Sequence, residues 1–221
     1  MIMRTNALRA IDTTSESPGC LDPATIEVPG PERGAPVREL PLPTTGPYPP
    51  LFAVVGAHGG AGASTLARWW VHAADAGLAW PGSPRTTQRV VIVARDCIPG
   101  LTAAADRLRE WHAGVAPDGV TVVGLVLIAA RPRRVPAAVR RFARTVGELV
   151  QDGAVWPIAW HEELIVHELG ELARYTPFDP PPPRRAHLTR AVPVDVHRAG
   201  AAITTRIAFA RQQAQQEGGS R

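Results

Sequence analysis

Four apolar runs, Leu51–Val55, Arg89–Ala94, Val120–Ala129 and Val155–Trp160, alternate with segments of helical pattern, and this alternation leaves few folds open. Runs of Val, Ile and Leu that are apolar on consecutive residues suit strands buried on both faces. Such strands occur in parallel sheets covered by crossover helices. The intervening segments read as helices over Ser64–Ala76, Leu101–Ala113 and Pro136–Gln151, with a shorter one over Glu162–Ala173. Leu101, Ala104, Ala105, Leu108 and Trp111 fall on one helical face, as do Val139, Phe142, Val146 and Leu149. The expected fold class is α/β: a doubly wound, mainly parallel sheet of four or five strands with helices on both faces.

Proline sets the expected limits of this unit. Nine prolines between Pro18 and Pro49 break any helix or central strand, so residues 1–49 read as a disordered tail. The tail carries six acids against four arginines, a net charge of about −2, so with +4 for the whole chain the remainder carries about +6. The α/β domain is expected over 50–175. A proline-rich linker follows over 176–192, because Pro180–Pro183 exclude regular structure. The terminal segment 193–216 is expected to form a last helix, running from about 196 with Asp195 as its cap. Val196, Ala199, Ile203, Ile207 and Ala210 form a stripe that either docks on the domain or meets a partner.

Composition excludes several classes. No stretch approaches the roughly 20 apolar residues of a membrane-spanning helix, and residues 1–20 contain no apolar signal core. Cys20 and Cys97 match no metal-ligand or CxxC spacing, so a cytoplasmic protein without a membrane partner is the expectation. The chain contains no lysine, and its cations are arginine and histidine.

The segment with most chemical content is His58-Gly59-Gly60-Ala61-Gly62-Ala63-Ser64-Thr65, between the first apolar run and the first helix. Glycines there let backbone N–H groups approach an anion, and a helix N-terminus adds partial positive charge. These residues resemble the deviant Walker A loop, KGGxGK[ST], of the ParA/MinD group of P-loop ATPases. More narrowly, they resemble an actinobacterial set with GGAGAS-type loops. RVVIVARDCIPGLTAAADRL, VTVVGLVLIAARPRRVPAAVRRF and VWPIAWHEELIVHEL resemble later strands and helices of that group, so the likeness spans most of 51–173.

The resemblance implies a P-loop fold, ATP with Mg²⁺ as cofactor, a Ser64 hydroxyl on the metal and a nucleotide-sandwich homodimer. It also places two lysines where this chain has His58 and Ala63. A bias against lysine would substitute arginine, whereas alanine removes the charge. Losing a cation that stabilises phosphoryl transfer costs on the order of a thousandfold in rate, by analogy with arginine fingers. The base-contacting asparagine is replaced at Ala129–Ala130. The metal-organising aspartates have no counterpart between the first helix and Arg89. The implied protein is a noncatalytic pseudo-ATPase, acting as scaffold or adaptor for a protein partner in partition, cell-division or mobile-element machinery. A divergent NTPase is the alternative within the group, and glycines that serve only a tight turn are the alternative outside it.

Charge supplies two further candidate sites. The expected strand ends bring His58/Gly59, Arg95/Asp96, Arg131 and His161/Glu162 to one crevice. Arg95 or Arg131 either compensates for the missing lysines or pairs with Asp96 and Glu162. Arg131, Arg133, Arg134, Arg140, Arg141 and Arg144 contain no acid among them and form a candidate DNA-binding patch or a solvated face. His161-Glu162-Glu163-Leu164-Ile165-Val166-His167 looks like HExxH, but the histidines stand six apart, so no metal site is expected. The tryptophans are expected in the core.

Overall fold

Successive residues of each long strand feed two different cores. In the computed structural model, which describes residues 27–44, 46 and 48–219, the elements run β1 (Val37–Arg38), β2 (Phe52–Gly56), α1 (Ala63–Trp69), β3 (Ala73–Asp75), β4 (Trp80–Pro81), β5 (Arg89–Asp96), α2 (Ile98–His112), β6 (Thr121–Ala129), α3 (Ala137–Glu148), β7 (Val155–Ile158) and α4 (Val194–Gly219). Five strands form one sheet in the order β3-β2-β5-β6-β7, and every neighbouring pair is parallel. Phe52, Val54, Val91, Val93, Val126 and Ile128 pack against α1 and α4. Ala53, Val55, Val90, Ile92, Leu125 and Leu127 pack against α2 and α3. This two-sided burial is why the runs are apolar at every position. Each fully buried Val, Leu or Ile contributes about 1.5–3 kcal/mol.

Gly124 shows how tightly the β6–β7 pairing is set. A bulge beside Val90/Val91 shifts the β5–β6 register, so Val91 pairs with Gly124. A Cβ at Gly124 would lie 2.4 Å from Trp156 Cζ3 and 2.5 Å from the Ala154 carbonyl oxygen. Only the missing side chain lets the Trp156 indole cover β6.

The first helix is shorter than expected, and its tail becomes the edge strand β3. Trp69 and Trp70 are both buried, and adjacent residues cannot share one helix face. The chain therefore leaves the helix at Trp70 (φ −95°, ψ 97°), whose indole N–H donates to the Val196 carbonyl at 3.1 Å. The expected helix over Glu162–Ala173 is replaced by two 3₁₀ turns, Glu162–Ile165 and Leu169–Glu171. A capping box between Glu168 and Glu171 restarts the chain there, with the Glu168 N–H on Glu171 Oε2 at 3.0 Å. Leu164 and Leu172 alone turn to the core while Ile165 and Val166 stay exposed. The fourth strand ends at Ile158, two residues early.

The proline-rich arms depart from expectation where they are described. Residues 1–26 lie outside the described residues. From Pro31 to Leu42, however, the presumed tail is a strap across α2 and β4. Its β1 pairs in parallel with β4, and Leu42 is 3% exposed. Proline excludes helix but not this extended edge pairing. The strap closes on a buried cluster in α2. Arg33 pairs with Asp106, and Arg107 donates to the Arg33 carbonyl. Glu110, 2% exposed, accepts from Ala35 N–H (3.1 Å), Trp80 Nε1–H (2.8 Å) and Arg107 Nη1 (2.9 Å). The expected linker 176–192 lacks regular structure but is anchored by buried Leu188 and Val192. On α4, Val196, Ala199, Ile203 and Ile207 are buried against the domain, while Ala210 is exposed. Among the described residues no helix is long and apolar enough to cross a membrane.

Candidate functional site

Because all five strands are parallel, their carboxyl ends lie together. The chain leaves β2 for the edge strand β3, then crosses back over β2 to β5. The crevice beyond β2 and β5 is thus the topological switch point, where α/β sheets bind ligands. The glycine loop, residues 57–62, occupies this crevice.

Backbone geometry explains the loop's composition. Gly60 (φ 73°) and Gly62 (φ 103°) adopt left-handed conformations, and Gly62 caps α1. A Cβ at Gly62 would also lie 2.6 Å from Ile128 Cδ1. Ala57 N–H donates to Val93 O at 2.8 Å and Ala61 N–H to His58 O at 3.2 Å. The N–H groups of Gly59, Gly60, Gly62, Ala63, Ser64 and Thr65 have no acceptor among the described residues. Six amide donors therefore remain available along one bend.

His58 is engaged within the protein. Its Nδ1 lies 2.8 Å from Gly59 O and its Nε2 accepts the Arg95 N–H at 3.1 Å. Ala63 is 8% exposed and packs into the α1 core. Ser64 is exposed and Thr65 half-buried.

Arg95 does not pair with Asp96. Its Nε donates to Gly60 O and its Nη1 to Ala129 O, both at 3.1 Å, bracing the loop against the end of β6. Among the described residues it forms no ion pair, and its Nη2 has no acceptor. Strand alternation turns Asp96 to the α2 side, where burial pushes its carboxyl above the ordinary value and leaves Oδ1 without a partner. Arg131 is exposed and lines neither cleft beside the loop.

Two clefts flank Arg95. One, of about 440 Å³, is formed by the loop itself with Gly77 and Leu78, and no carboxylate lines it. Phosphate fits its free amides. For Mg²⁺ it offers the Ser64 and Thr65 hydroxyls and no acid. The other, of about 300 Å³, is a more enclosed recess over the ends of β6 and β7, with Trp69, Ile128, Ile158 and Trp160 among its walls. His161 borders this recess, its Nε2 lying 3.2 Å from Asp195 Oδ1. Burial alone would raise the Asp195 carboxyl, but His161 and the N–H groups of Ala159 and Val196 outweigh it and hold the carboxyl below its ordinary value.

The recess is legible in the sequence only in part. Arg95 and His161 are expected at one strand-end crevice and do line one recess, without Arg131. Asp195 is expected only as a helix cap, and Trp69 and Trp160 only as core residues, so the walls of the recess are not foreseen. His167 turns to Glu171 instead, at 3.4 Å. Among the described residues no group of three or more His, Cys, Asp or Glu is placed to hold a metal ion.

The arginine run leaves the same end of the sheet. Arg131, Arg133, Arg134, Arg140, Arg141 and Arg144 are all exposed, and none forms an ion pair with another described residue. Arg140 Nη1 donates to the Val135 carbonyl at 2.6 Å, while Val139, Phe142 and Val146 of the same helix face the sheet. Comparisons with protein-family models, curated proteins and solved structures find no match to this chain.

Proposed function

We propose that this protein is a noncatalytic, ParA/MinD-like pseudo-ATPase whose glycine loop holds a phosphate group weakly and whose role is that of a scaffold or adaptor for a protein partner. The observation that carries this reading is the run of six unpaired amides at the switch point, beside an alanine packed into the core where a lysine would stand. Backbone amides and a helix N-terminus favour an anion. Transfer of a phosphoryl group also needs cations at the developing charge. His58 has both ring nitrogens engaged by backbone groups, Arg95 is bound to two carbonyls, and Asp96 faces the opposite side of the sheet. The test is calorimetry with ATP and Mg²⁺ alongside a turnover assay. Weak saturable binding without turnover is expected, with binding tightened by Ala63→Lys. Brisk turnover by the wild-type protein would instead establish a divergent NTPase. Absence of any phosphate binding would leave the glycines as a turn.

The six exposed, unpaired arginines favour a second reading, an accessory protein that binds double-stranded nucleic acid. Arg140 and Arg144 lie one helical turn apart, and arginine binds phosphate in a planar fork. No apolar side chain accompanies them on the outer face of α3 to enter a lipid surface. Affinity should fall steeply with salt, and Arg140→Glu/Arg144→Glu should reduce the salt slope by about two phosphate contacts. Unchanged DNA binding in that variant would remove the patch from the account.

A further inference from the structure

The recess beyond β6 and β7 combines two properties that suit it to a ligand. It is walled by aromatic and branched side chains, Trp69, Trp160, Ile128 and Ile158. It carries a guanidinium with no carboxylate partner among the described residues, since Arg95 is tied to the carbonyls of Gly60 and Ala129 and no acid is among the lining residues. The Thr65 hydroxyl is a second polar group at the wall.

We infer that this recess is a binding site for a small aromatic anion, an aryl carboxylate or an aryl phosphate, whose ring lies among Trp69, Trp160, Ile128 and Ile158 and whose oxygens meet Arg95. Each feature selects part of that description. The aromatic walls, with Trp69 already edge-on to the His161 ring at 6.0 Å, suit an aromatic body. The unpaired guanidinium selects an anion over a neutral ring. The volume of about 300 Å³ stands at the lower limit for small-molecule sites and suits one or two fused rings with an acid group, not a whole nucleotide. His161 is not assigned to the anion: its Nε2 is buried, lies 3.2 Å from Asp195 Oδ1 and makes no hydrogen bond among the described residues. The recess shares Gly62, Thr65 and Arg95 with the loop cleft, and its other lining residues are its own.

The test uses the full chain and three probes: benzoate, phenyl phosphate and the neutral benzyl alcohol. Binding is followed by calorimetry and by tryptophan fluorescence, since Trp69 and Trp160 line the site. Saturable binding of the two anions is expected, with benzyl alcohol at least about tenfold weaker, a difference of about 1.4 kcal/mol. Arg95→Gln should weaken the anions by about tenfold and leave benzyl alcohol unchanged. Because Arg95 also braces the loop, a second variant keeps it intact: Ala159→Trp, at the exposed lip, should abolish anion binding while ATP·Mg²⁺ titrates as in the wild type. The inference is overturned if neither anion saturates a wild-type protein of native circular dichroism. It is also overturned if benzyl alcohol binds as well as benzoate, or if Ala159→Trp binds benzoate unchanged. Loss of ATP·Mg²⁺ and benzoate together in Ala159→Trp would show one shared site and overturn the separate recess.

Discussion

His72 offers the sharpest quantitative test of the packing beneath α4. Its ring sits at the start of β3, edge-on to Phe52 (5.5 Å) and Tyr175 (5.8 Å), with Nε2 3.4 Å from the Thr204 hydroxyl. Nδ1 has no partner. No carboxylate is among these contacts, so burial lowers its pKa from 6.5 to about 4. The sign follows from proton binding. Between these values the unfolded chain binds a proton that the folded one refuses, so stability is present above pH 6.5 and is lost as pH falls toward 4. Linkage puts the loss at about 2 kcal/mol between pH 8 and pH 5, and at about 3 kcal/mol by pH 4. Carboxylates such as Asp195, held below its ordinary value, lose stability in the same direction at lower pH, so the histidine is isolated by difference. His72→Phe keeps an aromatic ring between Phe52 and Tyr175, and Thr204 keeps its bond to the Gly200 carbonyl at 2.9 Å. Urea unfolding of both proteins at pH 8 and pH 5 should show the wild type losing about 2 kcal/mol more than the variant. Parallel losses in the two proteins would refute the buried, neutral histidine and the tight seating of α4 over it.

Three further outcomes follow from particular contacts. Gly124→Ala places a Cβ against the Trp156 ring and the Ala154 carbonyl, and should cost about 1–3 kcal/mol, read as a lower Tm by calorimetry. Ile203→Ala leaves a cavity where a fully buried side chain joins α4 to the sheet, and should cost about 2–5 kcal/mol, a Tm drop of roughly 2–4 °C per kcal/mol at this size. Glu110→Ala removes the acceptor of three donors and leaves Arg107 buried beside a cavity. It should cost about 3–5 kcal/mol and expose the strap at 31–42 to limited proteolysis before the sheet is cut.

The sheet was readable because its strands are buried on both faces, and a run such as Val90–Ala94 allows little else. The extra strand β3 was not, because Ala73–Asp75 carries no β-forming residues and exists only because two adjacent tryptophans cannot share a helix face. The strap was hidden for a similar reason. Its prolines signal the absence of helix, while what holds it is the acid-arginine cluster of α2, more than 70 residues away in sequence for each contact of Arg33 and Ala35. Local pattern reports on local conformation, and long-range docking of extended chain leaves almost no periodic trace.

The candidate site divides along the same line. The glycine loop could be found because positive φ at Gly60 and Gly62 demands glycine in sequence. The role of Arg95 could not, because one side chain at the end of β5 reaches two carbonyls, Gly60 and Ala129, that only the sheet order brings within 3.1 Å. That placement bears on the proposed loss of the loop's lysines. An arginine free to swing over the loop could stand in for such cations, whereas one fixed to the backbone of two elements holds its charge in place between the loop cleft and the recess. Its charge is then felt by whatever anion enters either side. Arg95→Lys would separate the two roles, since an ammonium keeps the charge but cannot span both carbonyls in the plane of a fork. If bracing dominates, this variant should melt earlier than the wild type. If the charge alone matters, it should retain both stability and anion binding.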